Sequence, residues 1–328
     1  MFHYLMRFRV LFHDHCFDGA ASAAFFSRFI ADRIHPGAEF VYTGMSHVAA
    51  QSFDDSLFDG DENAIVDFKY ATTEKLTWWF DHHQSAFLSP SDAEQFRALK
   101  ASGNPRGAQL YFDPAYRSCT QYIADVTRQE FGYQPPDLAN LVHWADIVDS
   151  ARYSNAQEAV ALGSAALKIV LIIEAAKGPD TVQRLIRMMQ SSTLDEIVAD
   201  PAMQELYLPL RDRHQRTMEL IRQRASCEGG VVYFDLVGED VEGYNKFIPY
   251  YLFPEAVYTV SVSEQSFRTK VSVGSNPWAT GRVSHNLASI CERYGGGGHP
   301  KVGAISFPTG AFETARAAAS EILGELRA

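Results

Sequence analysis

Two histidines follow an aspartate at Asp81-His82-His83, directly behind an apolar run, Leu76 to Phe80. That run reads as the end of a buried strand. Carboxylates and imidazoles at a strand's C-terminal end place metal ligands or acid–base groups at the lip of a sheet, where open α/β sheets hold their ligands. The triplet alone is a weak signal, but three further clusters accompany it. His13-Asp14-His15-Cys16-Phe17-Asp18-Gly19 lies between a first strand and a helix. A helix cap explains Asp18, but not the histidines, the second aspartate and the cysteine beside it. Asp67 ends the strand-like Ala64 to Phe68, where a lone aspartate is ordinarily a turn residue. Asp146 and Asp149 stand at helical spacing, which a solvated polar face would also explain.

Adjacent side chains on an extended strand point to opposite faces, so His82 and His83 are expected to serve different roles. Together the clusters suit hard-to-borderline divalent ions, Mn2+ or Mg2+, better than a structural zinc. One or two ions are expected, with one carboxylate bridging and a metal-activated water attacking phosphorus.

The elements that must position these residues alternate. Strands are expected at Phe8–Phe12, Phe40–Tyr42, Ala64–Phe68, Trp78–Phe80 and Leu110–Phe112, and helices at Gly19–Arg33, Ser118–Glu130 and Asp137–Ser150. That order argues for an α/β fold with a mostly parallel sheet flanked by helices. From Gln157 to Ala225 β signals fade and a helical connector is expected. Strands return at Val231–Leu236, Ala256–Val262, Phe267–Val273 and Val302–Phe307, with helices at Ser284–Tyr294, capped by Ser284, and Phe312–Leu326. The expected domains are therefore residues 1–155 for catalysis, 156–226 as connector, and 227–328 as a smaller, glycine-rich α/β domain for substrate. The 328-residue length suits such a division.

Composition narrows the function. No stretch approaches the ~18 to 20 consecutive apolar residues of a membrane span, and the first residues lack a signal peptide's apolar core and cleavage site. Cys16, Cys119, Cys227 and Cys291 form no CxxC pair, so a reducing cytoplasm is expected. With 29 Lys and Arg against 40 Asp and Glu, the formal charge of −11 argues against broad duplex binding. A small phosphorylated substrate remains compatible, because bound cations supply the positive field.

In order, the four clusters resemble motifs I to IV of the DHH phosphoesterase superfamily. Gly295-Gly296-Gly297-Gly298-His299-Pro300-Lys301-Val302-Gly303 resembles the GGGH-type signature of the C-terminal domain that often accompanies it. The resemblance covers both ends of the chain and omits mainly the connector. It implies that Asp18, Asp67, His82 and Asp146 hold metal, with Asp67 the bridge and His13 a ligand of the other ion. Whether Asp149 rather than Asp146 is the motif IV ligand stays open. The resemblance further implies that Asp81 orients a histidine and that His83 contacts the scissile phosphate or protonates the leaving oxygen. Many members carry a carboxylate where this chain has Cys16, a soft ligand poorly matched to Mn2+ or Mg2+. Either that second site is weaker, or Asp14 or His15 substitutes, or the metal differs.

Two features concern substrate. Arg117-Ser118-Cys119-Thr120 opens a helix, which makes either an anion site or a simple serine cap. Gly296, Gly297 and Gly298 let backbone approach a ligand, with His299 and Lys301 adding donors to phosphate. The expectation is a metal-dependent phosphoesterase, with its cleft between two domains, acting on short single-stranded oligonucleotides or small nucleotide phosphates. An exopolyphosphatase acting on polyphosphate and a non-catalytic nucleotide-binding regulator are the alternatives, and a homodimer is compatible with either.

Overall fold

The structure, a computed structural model, describes residues 5–48, 51–105, 107–241, 243–281 and 283–328. Met1–Tyr4, part of the start expected to lack a signal peptide, lie outside the described residues. In chain order come β1 (Arg7–His13), α1 (Phe17–Phe29), β2 (Glu39–Met45), β3 (Glu62–Val66), β4 (Trp78–Asp81), α2 (Pro90–Ala101), β5 (Gln109–Phe112), α3 (Cys119–Phe131) and α4 (Ala139–Asp149). Helices α5 (Ala156–Val160), α6 (Ala165–Ala175), α7 (Pro179–Met189), α8 (Leu194–Ala199) and α9 (Pro201–Arg224) follow. The chain ends with β6 (Ser226–Glu228), β7 (Val231–Asp235), α10 (Ile248–Leu252), β8 (Tyr258–Gln265), β9 (Arg268–Ser275), α11 (Leu287–Glu292), β10 (Gly297–His299), β11 (Val302–Phe307) and α12 (Phe312–Arg327).

The chain packs as two compact units, Met1–Arg152 with Gly163–Tyr207, and Tyr153–Leu162 with Leu208–Ala328. The helical segment expected as a connector is thus shared between them. Helix α2 was not expected, although Ser89 and Asp92 form a capping box at its start, with Pro90 at its first position.

In the first unit all pairings are parallel, in the order β2-β1-β3-β4-β5. The register aligns Phe12 with Val66 and Val66 with Phe80. The residues just after these strands therefore meet at one edge. Val10, Leu11, Phe12, Ala64, Ile65, Val66, Trp79 and Phe80 are all buried, as both faces of a parallel sheet must be. Helix α1 is buried almost all round, which explains its Ala- and Phe-rich sequence with no polar stripe.

Gly19 explains the Asp-Gly step. A Cβ there would lie 2.1 Å from the His13 carbonyl oxygen, so only glycine lets the first turn of α1 rest on the end of β1. Trp79 secures the neighbouring strand: its indole Nε1 donates to the Phe68 carbonyl at 2.9 Å and so holds the chain just after Asp67.

The second unit is a mixed sheet in the order β10-β11-β9-β8-β7-β6, with β7 and β8 parallel and the remaining pairs antiparallel. Val260, Val262, Val271, Val273 and Ile305 pack with Leu287, Ile290 and Ile322 from the helices. Helix α11 is shorter than the expected Ser284–Tyr294. Asn286 caps it, accepting from the Ser289 amide, while the Ser284 amide donates to the Tyr258 hydroxyl at 2.8 Å. The glycine run is not a free turn. It enters β10 as an edge strand on β11, and Cβ atoms at Gly296 and Gly298 would lie 2.3 and 2.2 Å from the carbonyl oxygens of Ala304 and Val302. Among the described residues no helix is long and apolar enough to cross a membrane.

Gly19→Ala should overpack the β1–α1 junction and cost about 1–3 kcal/mol. Urea denaturation should show a lowered midpoint with unchanged slope; an unchanged midpoint would mean the junction yields freely.

Candidate metal centre

The C-terminal ends of β1, β3 and β4 bring the predicted ligands together. Asp67 follows β3 with φ +57°, a left-handed backbone that aspartate tolerates better than most residues. Its amide still donates to the Phe80 carbonyl at 2.9 Å, so the turn begins inside the sheet. The turn aims a fully buried carboxylate at two partners. Oδ2 lies 3.5 Å from His13 Nδ1, and Oδ1 lies 3.3 Å from His82 Nε2. Around them stand three sets of donors, His13 with Cys16 and Asp67, Asp67 with His82 and His83, and Asp18 with His82 and Asp149, the ligand atoms of each set within 4.8 Å of one another. Asp67 belongs to the first two and meets the third through His82.

His82 is oriented from behind. Its Nδ1 faces the Tyr116 carbonyl at 3.1 Å, which can only accept, so Nδ1 carries hydrogen and Nε2 is left for the centre. Asp18 is gripped by the start of α3. The amides of Cys119 and Thr120 donate to its two oxygens at 2.6 and 3.0 Å, and the Thr120 hydroxyl donates at 2.6 Å. Asp81 is fully buried and accepts at Oδ1 from the His82 amide at 2.8 Å and from His83 Nδ1 at 2.7 Å. It shapes the loop and holds His83.

These residues fit a cation. His13 Nδ1, both oxygens of Asp67 and His82 Nε2 are buried without a hydrogen-bond partner. Such groups are costly to bury unless an ion satisfies them. Three carboxylates crowd here, and the charges show it. Burial, then the charges of Asp67 and Asp149, raise the Asp18 carboxyl. Burial and then Asp67 push Asp149 up to about 6. Burial opposes charge on His82, but its contact with Asp67 and the charges of Asp18 and Asp149 override it and push the imidazolium up to about 10. Asp67 is the counterpart: burial pushes it up, yet the His13 and His82 contacts hold it down at about 2. The Cys16 thiol is raised by burial and by Asp67, Asp18 and Asp149.

Three expectations need correction. Asp149, not Asp146, reaches the centre, at 3.5 Å from His82 Nε2. Asp146, one turn earlier on α4, is engaged by Arg117 at 3.5 Å and Arg152 at 3.9 Å. Ser118 is a fully buried cap accepting from the Gln121 amide, and the anion at this helix start is Asp18 itself. Asp14 is turned away: it accepts from the His15 amide and packs over Gly44, where a Cβ would lie 2.5 Å from its carboxylate. Arg117 keeps a half-exposed side chain. His299 and Lys301 are exposed, and neither lines the second unit's cavity of about 330 Å³. Lys246, Lys270, Gly297 and Gly298 do.

His47, just past β2, was missed. Its ring stacks on Phe68 at 4.8 Å and lies 4.7 Å from that of His13. Its place after a strand at the same lip was a legible signal. Tyr116 was missed for want of any local one.

Asp149→Asn should weaken Mn2+ binding by more than the ~10–100-fold typical of losing an outer partner, and Asp146→Asn by less. Calorimetry on both variants decides it; equal losses would mean Asp146 also binds the ion. Because His82 holds its proton at neutral pH without an ion, metal uptake must expel it. Apparent affinity should therefore rise with pH until about 10. Titrations at pH 7 in two buffers of different ionisation enthalpy should report at least one proton released, and none released would contradict the assignment.

No family model and no curated protein matches the chain. Solved structures do. The pGpG-specific phosphodiesterase PggH from Vibrio cholerae superposes with a TM-score of 0.70 at 16% identity, over 98% of each chain. An exopolyphosphatase-related protein from Bacteroides fragilis gives 0.52 at 13% identity, over 98% of this chain and 92% of that one. RecJ from Thermus thermophilus, in complex with Mn2+, gives 0.54 at 15% identity, over 98% of this chain but 52% of that one. At these identities the likeness is one of fold. The chain shares the fold of these solved structures.

Proposed function

We propose that the chain is a metal-dependent phosphoric ester hydrolase acting on short oligonucleotides or small nucleotide phosphates. The observation that carries this is the convergence of unpartnered donors from His13, Asp67 and His82, flanked by Asp18 and Asp149, at one lip of the sheet. Bound divalent ions supply Lewis-acid stabilisation of the phosphoryl oxygens and a water made acidic enough to deprotonate near neutral pH.

The chain's own residues do the rest. Asp18, Asp67, His82 and Asp149 hold the cation, with the start of α3 fixing Asp18 and Tyr116 fixing His82. His83 donates the proton to the leaving oxygen. Burial opposes its charge, but the Asp81 contact outweighs burial and raises the imidazolium. With Nδ1 bonded to Asp81, the exchangeable proton is held at Nε2. Arg117 offers a guanidinium to phosphate. In the second unit, Lys246 and Lys270 with the backbone at Gly297 and Gly298 form a groove suited to phosphate groups, with His299 and Lys301 exposed nearby in sequence. Support for the substrate class comes from the full-length likeness to a pGpG-specific phosphodiesterase. Manganese or magnesium is supported by RecJ structures holding those ions.

The test is hydrolysis of a panel with Mn2+: pGpG and other dinucleotides, longer oligonucleotides, adenosine 3′,5′-bisphosphate, polyphosphate and bis-p-nitrophenyl phosphate. Turnover of dinucleotides is expected, abolished in Asp67→Asn and His82→Ala. His83→Ala should slow dinucleotide cleavage by roughly 10²–10⁴-fold and spare the nitrophenyl ester, whose leaving group needs no proton. Preference for polyphosphate would favour an exopolyphosphatase. Tight nucleotide binding without turnover of any substrate would make the protein a nucleotide-binding regulator and overturn the hydrolase.

A further inference from the structure

Two of the donor sets, joined by the 3.3 Å approach of Asp67 Oδ1 to His82 Nε2, differ in kind. Asp18 and Asp149 give oxygens and His82 one imidazole nitrogen, a mixture suited to Mn2+ or Mg2+. The other set joins one nitrogen, one oxygen and one sulfur, from His13, Asp67 and Cys16. Thiolate is a soft ligand that favours zinc and iron over the hard ions.

From this contrast we infer that the His13–Cys16–Asp67 set selects a borderline divalent ion of the Zn2+, Fe2+ or Co2+ class, bound through the Cys16 thiolate. The centre is then heterometallic, with the hard ion confined to the Asp18–His82–Asp149 side. This deepens the metal-dependent reading above and rests on it.

Geometry supports the assignment independently of donor type. Cys16 is the last residue before α1, in extended conformation, and its side chain makes no capping hydrogen bond. Its carbonyl accepts from the Ala20 amide at 3.1 Å, which ties the backbone at Cys16 to the first turn of the helix. Gly19 clamps the same turn onto His13, so His13 and Cys16 are fixed relative to one another. Asp67 is fully buried, and neither of its oxygens nor His13 Nδ1 has a hydrogen-bond partner. His13 Nδ1 and Asp67 Oδ2 are 3.5 Å apart. Two ligands about 2.1 Å from a tetrahedral ion would stand about 3.4 Å apart. The alternative carboxylate, Asp14, instead accepts from the His15 amide and packs over Gly44.

Binding breaks the S–H bond and forms a metal–sulfur bond. The proton leaves to solvent, and neither sulfur nor metal changes oxidation state.

The test uses the full-length protein stripped of metal. Titration with Co2+ should produce a near-ultraviolet thiolate-to-cobalt charge-transfer band that saturates at one equivalent. The band should vanish in Cys16→Ser and persist in Cys119→Ser. Zn2+ affinity should fall by about 100-fold in Cys16→Ser, while Cys16→Asp should take Mn2+ on both sides. X-ray absorption at the zinc edge needs no variant, so it decides the matter even if the substitutions fail to fold. One sulfur scatterer at about 2.3 Å is expected. No sulfur in that shell, or a cobalt band that survives Cys16→Ser, overturns the inference. Metal-stripped protein reloaded with Mn2+ alone separates this from the hydrolase reading. A cobalt–thiolate band without hydrolysis of any substrate would leave the site standing and remove the activity; hydrolysis without the band would do the reverse.

Discussion

A fully buried carboxylate with neither oxygen hydrogen-bonded is the constraint around which the first unit is arranged. Asp67 sits in that position, with Asp18 and Asp149 close by. Like charges in a low-dielectric pocket repel, and each would gain a proton unless positive groups oppose it. Two devices oppose it in the chain itself. The amides at the start of α3 hold Asp18, and His82 carries charge against Asp67. The parallel sheet makes the arrangement buildable, because consecutive strands in the same register end side by side.

The same logic separates what was readable in sequence from what was not. Asp67, His82 and His83 each follow an apolar run, so local pattern placed them at a strand end, and the Asp-Gly step placed Asp18 at a helix start. The choice between Asp146 and Asp149 was not local. Both lie on the last turns of α4, and only tertiary placement decides that Arg117 takes one and the centre takes the other. Ser118 was legible as a cap, but the anion that α3 serves lies about a hundred positions away in sequence, at Asp18. No window along the chain could reveal that pairing. Likewise, Tyr116 acts through a backbone carbonyl, which carries no side-chain signature at all.

In the second unit the strands were readable from alternation, and β9 alternates buried and partly exposed residues along its whole length. The glycine run was harder. Four glycines suggest freedom, yet Gly296 and Gly298 are there because β11 leaves no room for a Cβ. Steric necessity and flexibility demand the same residue, and only packing tells them apart. Gly297, by contrast, has no neighbour within van der Waals reach of its missing Cβ and lines the groove.

The left-handed backbone at Asp67 has a bearing on the history of such chains. Few residues adopt that conformation without strain, and asparagine is one of them. A lineage that abandoned catalysis while keeping its shape would drift toward asparagine at this position and away from alanine or β-branched residues. Asparagine there would mark a decoy: a scaffold that still cradles the ligand after its chemistry has been silenced.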